Sequence, residues 1–326
     1  MRQQSDTSNT LRLALVRQLR PLRALSPMPG VGLVLWHFGL AAAAAFGCAA
    51  AIRVSNWGWI LLPPIVLLIG TRMRALGNVI HECSHYSFVR SRRWNRILGQ
   101  VLCIADLSSF NTYQKEHLTH HRNTGDFERD LDLAARRDLH LERPVRNLLL
   151  DCLTRALSPR TVRAVFKPSI LGRDDPWFIN AARAVWLVLV SAACITSPVP
   201  MMLYLVLPYL TTYQMLKAWS DCIDHAGLIE APEEFDRSRN HIFSLRALNW
   251  LFLPRNDAYH LVHHLFPKLP TKYYESVHQS LLKYPAYASR EHSLRWQDVT
   301  PVASTPGERN VAAQHGHTGA RSLHPR

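Results

Sequence analysis

Apolar residues are concentrated in long uncharged runs, and this pattern predicts an all-α integral membrane protein. Residues 31–52 and 54–71 carry no formal charge, and a third uncharged run from Ala184 to Leu216 is broken by a Ser-Pro-Val-Pro turn at 197–200. A membrane-spanning helix needs about 20 predominantly apolar residues. The pattern therefore predicts four transmembrane helices, at 31–52, 54–72, 178–196 and 199–217.

The polar residues outside these runs divide the chain into three parts. Residues 1–30 are basic and nearly free of acidic residues, and we expect them to form an amphipathic arm at the membrane surface. Residues 31–298 contain the spans and should form one membrane domain, with a helical cap between and after them. Residues 299–326 have no apolar periodicity and are predicted to be disordered.

The net charge of +14 bears on topology and partners. Arginines crowd the N-terminal segment and the stretch after the second span, so the positive-inside rule places both termini and residues 73–177 in the cytoplasm. This predicts a multi-pass protein of the bacterial inner membrane, or of the endoplasmic reticulum in a eukaryotic cell. No base-reading motif accompanies the charge, which favours anionic lipid over nucleic acid as its partner.

The six cysteines form no CxxC pair and should be free thiols.

Histidine clusters carry the strongest chemical signal. One pair is spaced i, i+4, and two triplets share the spacing i, i+3, i+4, which places each cluster on one face of a helix. The clusters are His81 and His85, then His117, His120 and His121, then His260, His263 and His264. Three such faces could converge on one polynuclear metal site. Imidazole suits iron, zinc, copper and nickel, so the ligand type leaves the metal open.

An HxxxH box and two HxxHH boxes placed after paired hydrophobic spans resemble the membrane fatty acid desaturase and hydroxylase superfamily. The resemblance extends from about residue 31 to 285 and includes the local sequence Asp-Cys-Ile-Asp-His at 221–225. It implies a cytoplasmic site in which nine histidines hold two iron ions, with O₂ as co-substrate. The implied ligands are His81, His85, His117, His120, His121, His225, His260, His263 and His264.

Residues around these ligands should orient them, because a metal-bound imidazole normally donates its second N–H to a carboxylate or carbonyl. His225 lies outside the three clusters, and in some members of the superfamily the residue four positions before the matching histidine reaches a metal through water. Here that residue is the acid Asp221 rather than a neutral amide. The other candidates lie beside or near ligands in the sequence: Glu82, Glu116, Asp224, Asn256 and Asp257.

The resemblance implies an O₂-dependent desaturase acting on a fatty acyl chain. A hydroxylase or ketolase acting on a lipid or hydrocarbon carries the same histidine boxes and is the alternative. The chain has no CxxCH haem motif and no ferredoxin-like cysteine run. Electrons are therefore expected from a separate ferredoxin, rubredoxin or cytochrome. The sequence from His81 to His85 also matches the HExxH zinc-protease motif, but that reading leaves both HxxHH clusters unexplained.

Overall fold

The computed structural model describes residues 6–165 and 172–294, and it is built from helices. The predicted disordered tail, 299–326, lies outside the described residues. The helices are α1 (Asp6–Leu19), α2 (Pro27–Val54), α3 (Leu62–Ser84), α4 (Arg92–Ala105), α5 (Phe110–Asn123), α6 (Leu131–Ala135), α7 (Leu148–Ala156), α8 (Pro159–Val165), α9 (Trp177–Thr196), α10 (Pro198–Met201), α11 (Gln214–His225), α12 (Arg246–Phe252), α13 (His260–Leu265), α14 (Tyr274–Leu281) and α15 (Pro285–Ala288). Within the described ranges, extended pairing is limited to two isolated bridges.

Three helical segments are long and apolar enough to cross a membrane: Pro27–Val54, Asn56–Ser84 and Trp177–Thr196. They coincide with the first three predicted spans. Large apolar side chains on them face outward, and Phe46 and Val188 are 79% and 66% exposed. Apolar surface of this extent is suited to lipid rather than to water.

The helix of the second span continues beyond its predicted end at residue 72 and stops at Ser84. The first histidine pair therefore lies at the end of a long rigid helix: His81 is in its last turn and His85 caps it. The fourth predicted span, 199–217, lies in an unbroken helical path that joins α10 to α11 through the π-helical segments Met202–Val206 and Tyr209–Tyr213. That path ends at His225. As a membrane span it remains a prediction.

The largest apolar core packs beneath the histidine-bearing helices. Side chains from α7, α11, α13 and α14 meet there, among them the fully buried Leu148, Ile223 and Leu281. Burying one such side chain stabilises a fold by about 1.5–3 kcal/mol. Helix α1 joins this core through Leu11 and Leu15, so the predicted surface arm also packs against the body of the protein.

A close contact between α4 and α5 positions the second histidine cluster. A Cβ atom on Gly99 would lie 2.2 Å from Cε2 of Phe110, the first residue of α5. Only glycine lets the two helices approach this closely at that position. The α5 N-terminus is capped by Ser109, whose hydroxyl accepts a hydrogen bond from the Thr112 amide at 3.2 Å. These contacts fix the start of the helix that carries His117, His120 and His121.

Candidate metal centre

The structure brings all nine predicted histidines together in two adjacent groups. Within each group the candidate ligand atoms lie within 4.8 Å of one another. The first group, the five-histidine group, contains His81, His85, His117, His121 and His263. The second, the four-histidine group, contains His120, His225, His260 and His264. The isolated His225 is among them, although no local spacing in the sequence marks it.

Helix geometry explains how each HxxHH triplet serves both groups. Residues four apart lie on one helical face, whereas adjacent residues point about 100° apart. On α5, His117 and His121 therefore belong to the five-histidine group and His120 to the other. On α13 the assignment is reversed, since His260 and His264 belong to the four-histidine group and His263 to the five-histidine group. The ring centroids of His121 and His264 are 4.6 Å apart, which places the two groups side by side.

The Nε2 atoms face one another at metal-ligand spacing. In the five-histidine group, the Nε2 atoms of His81 and His263 are 2.9 Å apart, and those of His121 and His263 are 2.8 Å apart. In the four-histidine group, the Nε2 of His225 lies 3.0 Å from that of His260 and 3.1 Å from that of His120. At such distances two ring nitrogens either share a proton in an N–H···N hydrogen bond or bind a common cation, so this donor set suits a bound metal.

These separations are compatible with shared coordination of a metal ion. The facing Nε2 pairs are 2.8–3.1 Å apart, and two nitrogens bound to one ion at about 2.1 Å lie about 3–3.4 Å apart. Imidazole is a ligand of iron, zinc, copper and nickel alike, so the donor set does not distinguish between these metals.

The second nitrogen of several rings has a partner outside the groups. With Nε2 directed at the centre, Nδ1 carries the proton and donates it. His120 donates to Asp130 at 2.8 Å, and His225 donates to the backbone carbonyl of Arg237 at 2.7 Å. The Nδ1 of His263 lies 2.9 Å from the Tyr274 hydroxyl, which can accept the proton when Nε2 binds a metal. These contacts fix both the tautomer and the orientation of the rings.

Two further carboxylates lie near ring nitrogens at longer range. Asp132 is 3.4 Å from Nδ1 of His117, and Asp224 is 3.3 Å from Nδ1 of His260. Asp224 belongs to the set proposed from the sequence. The partners Asp130, Asp132 and Tyr274, together with the Arg237 carbonyl, are not in that set. No local sequence pattern links them to the histidines.

Burial keeps the rings in the form that binds metal. It lowers the pKa of His117, His121 and His264 well below the ordinary histidine value, and charge on neighbouring histidines lowers it further. Metal ions bind the neutral imidazole, so protons compete weakly for these sites near neutral pH.

The other residues proposed around the ligands have different partners. Asp221 accepts a hydrogen bond from Arg136 Nε at 2.7 Å, and Glu82 accepts one from Arg255 Nε at 2.6 Å. Asp221 nevertheless lines a polar cavity of about 60 Å³ together with five of the nine histidines. A water-mediated route from this acid to a metal remains a prediction.

Three more of the proposed residues can be located. Asn256 donates from its side chain to the Thr271 carbonyl at 2.9 Å. Asp257 accepts a hydrogen bond from Arg74 at 2.8 Å. Glu116 is half-buried, and burial raises the pKa of its carboxyl group.

A cavity of about 710 Å³ lies beside the histidine-bearing segments. Glu82, which follows His81, and Tyr259, which precedes His260, form part of its wall. Apolar and polar side chains share the lining, which includes Leu33, Phe88, Phe243, Trp250, Leu253 and Arg255. The volume is within the range of small-molecule sites, about 300–1,000 Å³.

Comparison with known proteins gives a consistent assignment. The fatty acid desaturase family model matches residues 57–296. The dihydrorhizobitoxine desaturase of Bradyrhizobium elkanii is 26% identical over 262 residues, which cover 74% of this chain and 73% of that protein. The chloroplastic omega-3 fatty acid desaturase of Glycine max is 25% identical over 252 residues, covering 70% and 55%. The sn-1 acyl-lipid omega-3 desaturase (ferredoxin) of Nostoc sp. is 22% identical over 245 residues, covering 69% and 66%.

Proposed function

The chain belongs to the fatty acid desaturase family, and from that membership we propose that it is an O₂-dependent di-iron desaturase that introduces a carbon–carbon double bond into an acyl chain. The observation that carries the proposal is the convergence of nine histidines into two adjacent groups. Nine imidazoles exceed what one metal ion coordinates. The division into groups of five and four imidazoles supplies a separate donor set for each of two ions.

The proposed reaction balances as follows. The acyl chain loses two hydrogen atoms, an electron donor supplies two electrons, and solvent supplies two protons, so that one O₂ becomes two water molecules. When bound, the iron pair supplies the strong oxidant that protein side chains lack. The chain's own residues hold the imidazoles. Asp130, Tyr274 and the Arg237 carbonyl each retain a proton on an Nδ1 and keep the opposite nitrogen directed at the centre.

We propose that the lipid substrate lies in the 710 Å³ cavity. Its apolar side chains suit a hydrocarbon chain, and Lys272 supplies positive charge for a polar head or carrier, whereas Arg246 is paired with Glu275. The names of the relatives include fatty acids, acyl lipids and dihydrorhizobitoxine, so the acyl class is the starting point for assays. The electron donor is proposed to be a ferredoxin, as the name of the Nostoc relative states for that protein, with rubredoxin or a cytochrome as alternatives.

The topology proposed for this function has both termini and the histidine groups in the cytoplasm. Basic residues near the membrane segments support it through the positive-inside rule. The domain division of 1–30, 31–298 and 299–326 and the bacterial inner membrane as location belong to the same proposal. Cysteine-accessibility labelling should find residues 73–177 and both termini on one side. Labelling of His117→Cys and His260→Cys on opposite sides would contradict it.

The function is tested by analysing the products of purified protein. Protein loaded with iron without oxygen would receive a reduced donor, O₂ and acyl substrates, and mass spectrometry would follow the product. Loss of two hydrogen atoms supports desaturation, whereas gain of one oxygen atom supports the hydroxylase or ketolase alternative. No product from any acyl class, together with no iron bound, would contradict the proposal.

Metal analysis and a peptide-cleavage assay distinguish the zinc-protease alternative from desaturation. That reading requires Glu82 to act as a general base on a metal-bound water. Glu82 instead forms a buried ion pair with Arg255, and their side chains are 3% and 10% exposed. Elemental analysis with one zinc per chain, and peptide cleavage without any need for iron, would favour the protease.

A further inference from the structure

Helix α3 carries three polar residues at positions i, i+4 and i+8: Arg74, Asn78 and Glu82. This spacing places them on one face of the helix. Each contacts a different residue of the segment 254–257, which leads directly into the third histidine cluster. We call this set of contacts the α3 ladder.

The three contacts of the ladder differ in chemistry. Arg74 donates to a carboxylate oxygen of Asp257 at 2.8 Å. The Asn78 side chain donates to the Pro254 carbonyl, also at 2.8 Å. Arg255 donates from Nε to Glu82 at 2.6 Å. Helix α3, which carries the first histidine cluster, therefore contacts the segment 254–257 before the third cluster at three points.

These contacts are buried, and they hold a strained backbone. Asn78 and Glu82 are each 3% exposed. Arg255 and Asn256 have φ angles of 64° and 60°, a left-handed conformation that side chains with a Cβ adopt rarely. Such a conformation persists only where surrounding contacts enforce it. The Glu82 ion pair and the Thr271 carbonyl, which accepts from Asn256, supply contacts at these two positions.

The ladder lies where the first and third histidine clusters meet. His81 and His85 are at the end of α3, and His260 follows Asp257 by three positions. The clusters join in the five-histidine group, where the Nε2 atoms of His81 and His263 are 2.9 Å apart. The four-histidine group takes no residue from α3. Only the five-histidine group contains pairs of ligands that span α3 and α13, such as His81 and His263, so the distance between α3 and residues 254–257 bears on this group in particular.

We propose that the α3 ladder sets this distance and so positions His263 against His81 and His85. Its members are positioning residues for one of the two metal ions. The inference rests on the proposed metal centre but concerns residues that need not touch a metal. A ladder that only stabilised the fold would weaken both groups equally when broken.

Stepwise metal titration separates these possibilities. Co²⁺, followed by its absorption bands, would be added to metal-free wild-type protein and to the Asn78→Leu variant, which keeps the side-chain size and removes the donor. We expect two binding steps in the wild type. In the variant one step should weaken about 10–100-fold, as is common for residues around a metal site, and the other should keep its wild-type affinity.

The ion pair gives a second test that does not depend on Asn78. Glu82→Gln and Arg255→Gln each leave one buried charge without its partner, whereas the double variant leaves none. If the pair positions His263, the double variant should recover part of the Co²⁺ affinity that each single variant loses. If the double variant loses as much Co²⁺ affinity as the two single variants lose together, Glu82 and Arg255 are not coupled.

Arg155→Gln is the matched control. Arg155 donates to the carbonyls of His140, Arg143 and Pro144, away from both histidine groups, so its loss should leave both Co²⁺ steps unchanged. Equal weakening of both steps in Asn78→Leu, or no weakening, would overturn the ladder proposal while two-metal binding by the wild type still supports the proposed function. A wild type that binds no metal would overturn both.

Discussion

Arg12 donates a hydrogen bond from Nε to the backbone carbonyl of Leu265 at 3.0 Å, between positions 253 residues apart. A second nitrogen of the same guanidinium donates to the His264 carbonyl at 3.3 Å. Leu265 is the last residue of α13, where helix carbonyls lack partners within the helix. The N-terminal helix therefore caps the short helix that carries His260, His263 and His264.

Replacing Arg12 by Gln should destabilise the protein and loosen the third histidine cluster. Arg12 is partly exposed, so we expect the free energy of unfolding to fall by about 1 kcal/mol, below the roughly 1.5–3 kcal/mol of hydrogen bonds to charged groups. Thermal unfolding in detergent, with and without iron, measures this change. Arg17→Gln is the control, because Arg17 is exposed on the same helix. An equal shift in both variants would show that only the charge of the arm matters.

The Asp130 carboxylate should tune the four-histidine group. One of its oxygens accepts from His120 Nδ1, and the other accepts from the Leu133 amide and caps α6. Asp130→Asn can retain the cap through its one carbonyl oxygen, but it then presents an amide NH2, which is a donor, to the Nδ1–H of His120. We expect about 10–100-fold weaker binding of one metal ion, measured by competition with a chelator. Glu128→Gln, an exposed acid two residues away, should bind both ions as the wild type does.

Adjacent histidines should affect different metal ions. His263→Ala removes a nitrogen from the five-histidine group, whereas His264→Ala removes one from the four-histidine group. Each variant should lose most of one Co²⁺ binding step and keep the other, with metal content near one ion per chain after dialysis. His140→Ala should keep both steps, because His140 lies outside both groups beside Glu142. Loss of the same step in both alanine variants would show that the groups do not act as separate sites.

The sequence was sufficient to identify the ligand candidates because helical spacing is local. The two HxxHH triplets and the His81–His85 pair each form a cluster on one turn of helix, whatever the rest of the fold does. His225 came from the family resemblance alone. The division into two groups also follows from helix geometry, since the neighbours His120 and His121 diverge by about 100°.

Residues around the ligands were harder to predict for the same geometric reason. Adjacency to a histidine in the chain points to Glu82 and Glu116, yet neighbours on a helix point in different directions. Glu82 consequently meets Arg255. The partners found in the structure, such as Asp130 for His120 and Tyr274 for His263, are brought in by tertiary packing over ten or more positions. No local pattern encodes such contacts.

The cavity beside the histidine groups should limit which acyl substrates bind. Ser244 is a small, exposed residue in its lining, so Ser244→Trp would fill part of the space without touching a histidine of either group. We expect the apparent KM for acyl substrates to rise at least about tenfold, since even one methylene group in an apolar pocket is worth about 10–200-fold. Metal content should not change, because both groups stay intact. Ser289→Trp is the matched control, as Ser289 is exposed but does not line this cavity. Kinetics with acyl substrates of different lengths would measure the effect, and a KM that stays at the wild-type value for every length would place the substrate elsewhere.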